Sequence, residues 1–150
     1  MIKLNFPEYE IKIIENDGKL SVFDPVRKKY VALTPEEWVR QHVLRFLVRE
    51  KNVPLALIGV EAAIKVFKTT KRFDIVVFDR NKTPLLLVEC KAPSVAVSQV
   101  TLDQAVRYNM TLNVNLLMLT NGLQHVICKV LPSTGNVQQI PALPDYPFQL

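Results

Sequence analysis

RFDIVVFDRNKTPLLLVECK, residues 72–91, holds two strongly apolar segments that meet at the polar turn Arg80-Asn81-Lys82-Thr83. Their aliphatic and β-branched content reads as two buried strands, yet Asp74, Glu89 and Lys91 put charge inside them. An antiparallel hairpin with a two- or four-residue turn centred between Asn81 and Lys82 sets Asp74 directly opposite Glu89, with Cβ atoms roughly 4.5–5.5 Å apart. Lys91 shares that face by period-two alternation and falls opposite Arg72. A three- or five-residue turn breaks this pairing. The other face, Phe73, Ile75, Val77, Leu86, Val88 and Cys90, is expected to be core.

Two carboxylates opposed within a sheet repel, and burying either without a partner costs on the order of several kcal/mol. Two kinds of cation offset that cost. Lys91 and Arg72 can form a salt-bridged cluster, or a hard divalent ion such as Mg²⁺ can take one or two carboxylates at about 2.0–2.1 Å. Spacing alone leaves both open.

The rest of the chain surrounds this hairpin with ordinary globular sequence. At 150 residues, 49% hydrophobic and 22% charged, it has the size and composition of one domain with a core. The formal net charge of +5 favours an anionic partner such as nucleic acid, although the basic residues are scattered. Cys90 and Cys128 lie in apolar runs without metal-ligand spacing, which predicts buried, reduced thiols and a cytoplasmic protein. No leader-like segment opens the chain, and every apolar run is broken well before the ~18 residues of a membrane span.

Residues 9–33 alternate around Asn16-Asp17-Gly18 and predict an N-terminal hairpin extension over 1–33. Thr34, Pro35 and Glu37 form a capping-box start for a helix over about 35–50. Val60, Ala62, Ile64 and Val66 alternate as a strand before the central hairpin. Leu102, Ala105, Val106 and Met110 repeat at helical spacing, and VNLLMLTNGLQHVICKV is a strand pair about Asn121-Gly122. From Leu131, Pro, Gly and Ser accumulate, which predicts an extended surface tail over 131–150. The expected class is α/β or α+β, a mixed sheet flanked by helices with a core at about 34–130.

Asp74, fourteen intervening residues and Glu89-Cys90-Lys91 resemble the D…(D/E)xK signature of the PD-(D/E)xK nuclease superfamily. More narrowly, TPEEWVRQHVLRFLV, RFDIVVFD, LLLVECKAPS, DQAVRY and LTNGLQHVI, in that order from Thr34 to Val130, resemble the N-terminal nuclease domain of type I restriction enzyme R subunits. The sequence departs from the pattern in having Phe73 where a Pro often precedes the first acid. The resemblance implies a restriction-endonuclease-like core and Mg²⁺-dependent DNA endonuclease activity, with Mn²⁺ as a substitute metal. It also implies DNA and restriction-modification or motor subunits as partners. In this family's pattern Asp74, Glu89 and the backbone carbonyl of Cys90 hold the metal, and Lys91 is catalytic. Gln104 and Tyr108 match a Q-x-x-x-Y element beside metal or DNA.

Each assignment has a plainer competitor. Tyr108 can pack on the sheet while Gln104 meets solvent, and Arg107 reads as a solvated helix charge. The first helix can lend Glu36 or Glu37 to the site, but capping accounts for Glu37 without a metal. Glu61 either joins the acidic cluster or pairs with Lys65. Asp79 reads as a turn residue, Trp38 as core, and His42 and His125 as no catalytic pair. Lys68, Lys71, Arg72, Arg80 and Lys82 fit a phosphate-binding rim or scattered solubilising charge. The alternative function is a non-catalytic nucleic-acid- or protein-binding module on the same fold.

Overall fold

The computed structural model describes residues 1–66, 68–110, 112–131 and 133–149, without the side chains of Val66, Thr69 and Met110. The expected places of Val66 in its strand face and Met110 on its helix face therefore lie outside the described residues. The chain begins with an antiparallel sheet of β1 (Ile13–Asn16), β2 (Lys19–Asp24) and β3 (Lys29–Ala32). Asp17 at φ 52° and Gly18 at φ 75° make the tight turn between β1 and β2, the left-handed pair that a two-residue hairpin loop requires. The third strand extends the expected hairpin; its exposed KYVA gives little alternation to read.

Helix α1 (Pro35–Glu50) starts where its sequence signals place it. The Thr34 hydroxyl accepts the Glu37 backbone N–H at 3.0 Å. The reciprocal half of the capping box is absent, because the Glu37 carboxylate is taken by Arg27, Arg40 and Gln41.

A six-stranded mixed sheet follows in the spatial order β4 (Ile58–Val66), β5 (Thr69–Phe78), β6 (Pro84–Cys90), β7 (Leu116–Thr120), β8 (His125–Leu131), β9 (Asn136–Ile140). Among the described residues only β6 and β7 pair in parallel, and helix α2 (Gln99–Met110) makes the crossover between them, the connection a parallel pair requires. On one face, Val39, Val43, Leu44 and Leu47 of α1 meet Ile75, Val77, Leu86, Val88 and Cys90. On the other, Ala105 and Val106 of α2 pack on Phe73, Val76, Leu87 and Leu117. Leu86, Leu87, Leu116, Leu117 and Leu119 are fully buried, each contributing roughly 1.5–3 kcal/mol relative to exposure.

The β5–β6 register is the expected one, reached by an unexpected route. Ile75 pairs with Val88, Val76 with Leu87 and Val77 with Leu86, and one further step puts Asp74 level with Glu89. The turn itself closes from Asp79 to Thr83, with the Asp79 Oδ1 accepting the Asn81 and Thr83 N–H groups at 2.8 and 2.9 Å. A register shift between Val77 and Phe78 absorbs the odd residue, as a β-bulge does.

Two expectations are corrected. Phe73 joins Val76 and Leu87 on the α2 face rather than Ile75 on the α1 face. The β4–β5 pairing passes from Val60↔Ile75 to Ala62↔Phe73, and Glu61 between them has φ 51°, so alternation breaks at the level of Asp74. The C-terminal segment is also more than the extended surface tail expected over 131–150: β9 pairs with β8, and Leu143 and Phe148 are buried. The NVQQI strand is almost wholly exposed and has no apolar alternation to betray it.

Candidate active site

Where α2 crosses the sheet, Arg72, Phe73, Glu89, Lys91, Gln104 and Tyr108 line a cleft of about 330 Å³. Strand alternation on β6 aims Glu89 and Lys91 to this side, while Val88 and Cys90 enter the α1 core. The i, i+4 spacing of Gln104 and Tyr108 puts both on the facing side of α2. Tyr108 stacks on Phe73 at 5.3 Å between ring centroids, and the Lys71 ammonium sits 4.1 Å over the Tyr108 ring.

Asp74, on β5 level with Glu89, is not among the residues lining this cleft and is held from two directions. Its Oδ2 accepts the Cys90 backbone N–H at 2.7 Å, and its Oδ1 accepts Arg40 Nη2 at 3.2 Å. The side chain paired with Asp74 is therefore Arg40 of α1, and not Lys91 or Arg72, the two cations of the salt-bridge alternative. Lys91 makes no ion pair within 4 Å among the described residues, and its backbone N–H bonds to Thr120 O at 2.8 Å. Burial raises the Glu89 carboxyl, and the neighbouring Asp74 charge raises it further, to about 7; Lys91 opposes both. Among the described residues Glu89 makes no ion pair within 4 Å, and Lys91 offsets its burial and the Asp74 charge only in part.

The other acids cluster on the α1 side. Glu37, buried, bonds to Arg27 at 2.8 Å, Arg40 at 3.3 Å and Gln41 at 3.1 Å. Glu61 meets Arg40 at 3.4 Å and Arg27 at 3.7 Å, not Lys65. Glu36, exposed, is the α1 carboxylate nearest the site electrostatically: partial burial and then Asp74 raise its pKa, against Arg40 and Lys91. Arg40 and Arg27 were missed by sequence reasoning. The signal for Arg40 was its i+3 and i+4 spacing from Glu37 and Glu36, which reads equally well as a solvated helix pair.

The remaining candidates are dispersed. Arg80 and Lys82 sit on the turn at the opposite end of the hairpin from Arg72. His42 Nδ1 bonds to Trp38 O and His125 bonds to Thr120 and Asn5, each at 2.7–2.8 Å, so the two histidines serve separate structural contacts. Both cysteines are buried and free.

Among the described residues no group of three His, Cys, Asp or Glu side chains converges to hold a metal ion. The donor chemistry of the adjacent pair still fits a hard divalent cation, which takes one or two carboxylates and completes its shell with water and phosphate oxygens. Asp74 and Glu89 would supply the carboxylates of such a site, and burial beside Asp74, which raises the Glu89 pKa, would make added positive charge favourable there.

A mixed sheet with one helix on each face, and a charged cleft between β5, β6 and α2, defines an α+β domain. The chain belongs to the family of the type I restriction enzyme R protein N terminus, whose model matches residues 35–144. Among solved structures it is similar to a fragment provisionally assigned as an HsdR subunit of a type I restriction enzyme from Vibrio vulnificus YJ016, at 24% identity and a TM-score of 0.54. That match covers 77% of this chain and 24% of the other, so the chain spans about a quarter of that relative. A second similar structure, provisionally assigned as a DUF820 nuclease from Anabaena variabilis ATCC 29413, shares 12% identity with a TM-score of 0.49, covering 92% of this chain and 81% of that one. No curated protein matches the chain.

Proposed function

We propose that this chain is a Mg²⁺-dependent DNA phosphodiesterase of restriction-enzyme type, with Mn²⁺ able to replace Mg²⁺. The observation that carries this reading is the convergence of Glu89, Lys91, Arg72, Gln104 and Tyr108 on one cleft beside Asp74. Asp74, Glu89 and the Cys90 carbonyl would hold the ion, which when bound supplies a water of lowered pKa and neutralises phosphate charge. Lys91, unpaired with any carboxylate among the described residues, is available to donate to a phosphate oxygen and to stabilise charge developing on it. Arg72, exposed at the rim, would anchor a neighbouring phosphate, and Gln104 would hold the backbone in register. Phe73 and Tyr108, in ring contact at 5.3 Å, would form the apolar wall on one side of the reacting group.

The chain would act within a larger restriction-modification assembly, joined to or beside a motor, with DNA as substrate. No described helix is long and apolar enough to cross a membrane.

One observation favours a second reading, a binding module that does not cut: both oxygens of Asp74 already have protein partners. The two separate by experiment. Wild type and Lys91→Ala are incubated with supercoiled plasmid and with single-stranded DNA in Mg²⁺, Mn²⁺ or EDTA. Metal-dependent cutting, lost by ~100-fold or more in a folded Lys91→Ala protein, supports catalysis. DNA binding that ignores metal, with no cutting by wild type, supports the module.

A further inference from the structure

Arg40, which holds Asp74 from the α1 side, is itself enclosed, with its side chain 6% exposed. Its Nη2 reaches Asp74 at 3.2 Å and Glu36 at 3.7 Å, and its Nη1 reaches Glu37 at 3.3 Å and Glu61 at 3.4 Å. Its Nε is buried without a hydrogen-bond partner. Tight charge-assisted pairs run about 2.7–2.9 Å, and Arg27 meets that standard, with 2.8 Å contacts to both Asp24 and Glu37. Arg40 does not. Its guanidinium is shared among four carboxylates and held closely by none.

The charge around it is unbalanced. Among the described residues, five carboxylates, Asp24, Glu36, Glu37, Glu61 and Asp74, form ion pairs with only Arg27 and Arg40. Arg45 acts on Asp24 and Lys91 on Glu36 at longer range, which still leaves these carboxylates one charge in excess, so an added cation is attracted, and Arg40 need not enter solvent to make way for it. If the Nη2 contact with Asp74 is given up, Glu37 and Glu61 still accept Nη1, and Glu36 lies beside Nη2. Glu37 itself is fixed independently by Arg27 and Gln41.

We propose that Arg40 is an exchangeable counter-ion, neutralising Asp74 in the metal-free protein and surrendering one oxygen of it when a divalent cation binds. The inference rests on the metal reading above and deepens it. Arg40 is a positioning residue here, since it acts through Asp74. It sets how strongly the site resists loading, because binding must break an existing pair.

The test titrates MgCl₂ and MnCl₂, without DNA, into the full chain by calorimetry, and measures melting temperature in EDTA and in each ion. Arg40→Gln melts lower than wild type in EDTA, binds Mn²⁺ about tenfold more tightly, equivalent to about 1.4 kcal/mol, and gains more in melting temperature from the ion. Arg45→Gln removes the same charge from the same helix; Arg45 bonds to Gln41 and the Phe23 carbonyl, not to Asp74, and its loss leaves affinity unchanged. Unchanged or weaker Mn²⁺ binding by Arg40→Gln overturns the exchange, as does equal tightening in Arg45→Gln. If Arg40→Gln does not fold, Arg40→Lys replaces it: a smaller tightening is expected, and none overturns the proposal. The metal reading is checked separately with Asp74→Asn. Failure of both wild type and Arg40→Gln to bind either ion, or binding unaltered by Asp74→Asn, overturns that reading as well.

Discussion

The two helices flank the same pair of carboxylates and treat them in opposite ways. Toward α1, Asp74 and the neighbouring acids are enclosed by guanidinium groups, and Glu37, Arg40 and Gln41 are buried. Toward α2, Glu89 and Lys91 face an open cleft and, among the described residues, make no ion pair within 4 Å, while Gln104 and Tyr108 on its wall are exposed. The first arrangement stabilises structure; the second leaves charge unsatisfied where a substrate can reach it. A mutation on the α1 side should therefore be read mainly in stability, and one on the α2 side mainly in activity.

The largest stability effect is expected at Asp24, which ties the N-terminal sheet to α1. Fully buried, it accepts the Val26 and Arg27 backbone N–H groups, Arg27 Nε and Gln41 Nε2, all at 2.8–2.9 Å. Asp24→Ala leaves Arg27 Nε and the Val26 and Arg27 backbone N–H groups without their acceptor, with only Glu37 still accepting from the Arg27 and Gln41 side chains, and should cost roughly 3–5 kcal/mol in denaturant unfolding at pH 7. Burial alone would raise this carboxyl, but the hydrogen bonds from Arg27 and Gln41 outweigh it and hold the pKa below the ordinary 3.8. A depressed folded pKa stabilises above the unfolded value and loses that contribution as pH falls through the folded one. The gap between wild type and Asp24→Ala should therefore narrow only below about pH 4. A constant gap down to pH 2 would contradict the assigned ion pair.

Glu89 should behave with the opposite sign. Its folded pKa is raised, by burial first and Asp74 second, from 4.5 to about 7. The stabilising contribution of its bound proton is complete below pH 4.5 and disappears as pH rises through 7, leaving an ionised carboxylate worth about 3 kcal/mol of lost stability. In EDTA, Glu89→Gln should match wild type near pH 4.5 and exceed it by up to about 3 kcal/mol at pH 8. Thermal melts across that range check it. A stabilising substitution at this position would be the mark of a group kept for chemistry rather than for folding.

The α2 side was the more legible from sequence, for a physical reason. Its residues lie on regular elements whose periodicity sets direction: alternation aims Glu89 and Lys91 together, and i, i+4 spacing aims Gln104 and Tyr108 together. Even the turn obeyed, because a bulge at Val77/Phe78 restored the register that an odd-length loop would have shifted. The α1 side depends on irregularities that no period encodes. Glu61 has a left-handed φ of 51°; the break at its level carries Phe73 to the α2 face and leaves Asp74 bonded to Arg40. β3 and β9 escaped for another reason, since strands that bury almost nothing carry no apolar signal.

Thr34 offers a smaller test on the α1 side. Its hydroxyl caps α1, but Glu37 does not return the favour, so only one of the two capping-box bonds is present. Thr34→Ala should cost about 1 kcal/mol, within the usual range for a single N-cap, and Thr34→Ser should recover most of it. Glu37→Ala should cost considerably more, because it removes the partner of Arg27 and Gln41 rather than a cap. Equal costs for the two alanine variants would return Glu37 to a capping role.

Gln104 should give the smallest stability effect and the sharpest contrast with these. It is exposed on the cleft wall, so Gln104→Ala should leave unfolding free energy within ±0.5 kcal/mol, as surface substitutions generally do. If the cleft is where DNA is cut, loss of one backbone-positioning contact should still lower the cleavage rate about tenfold, since about 1.4 kcal/mol of barrier is a factor of ten. Gln104→Glu separates positioning from packing. It keeps the shape of the side chain and adds a negative charge facing phosphate, so it should impair cleavage more than alanine does, and most strongly at low salt, where screening is weakest. If Gln104→Ala instead lowers stability while cleavage is unaffected, the side chain supports α2 and the cleft ends at Lys91 and Arg72.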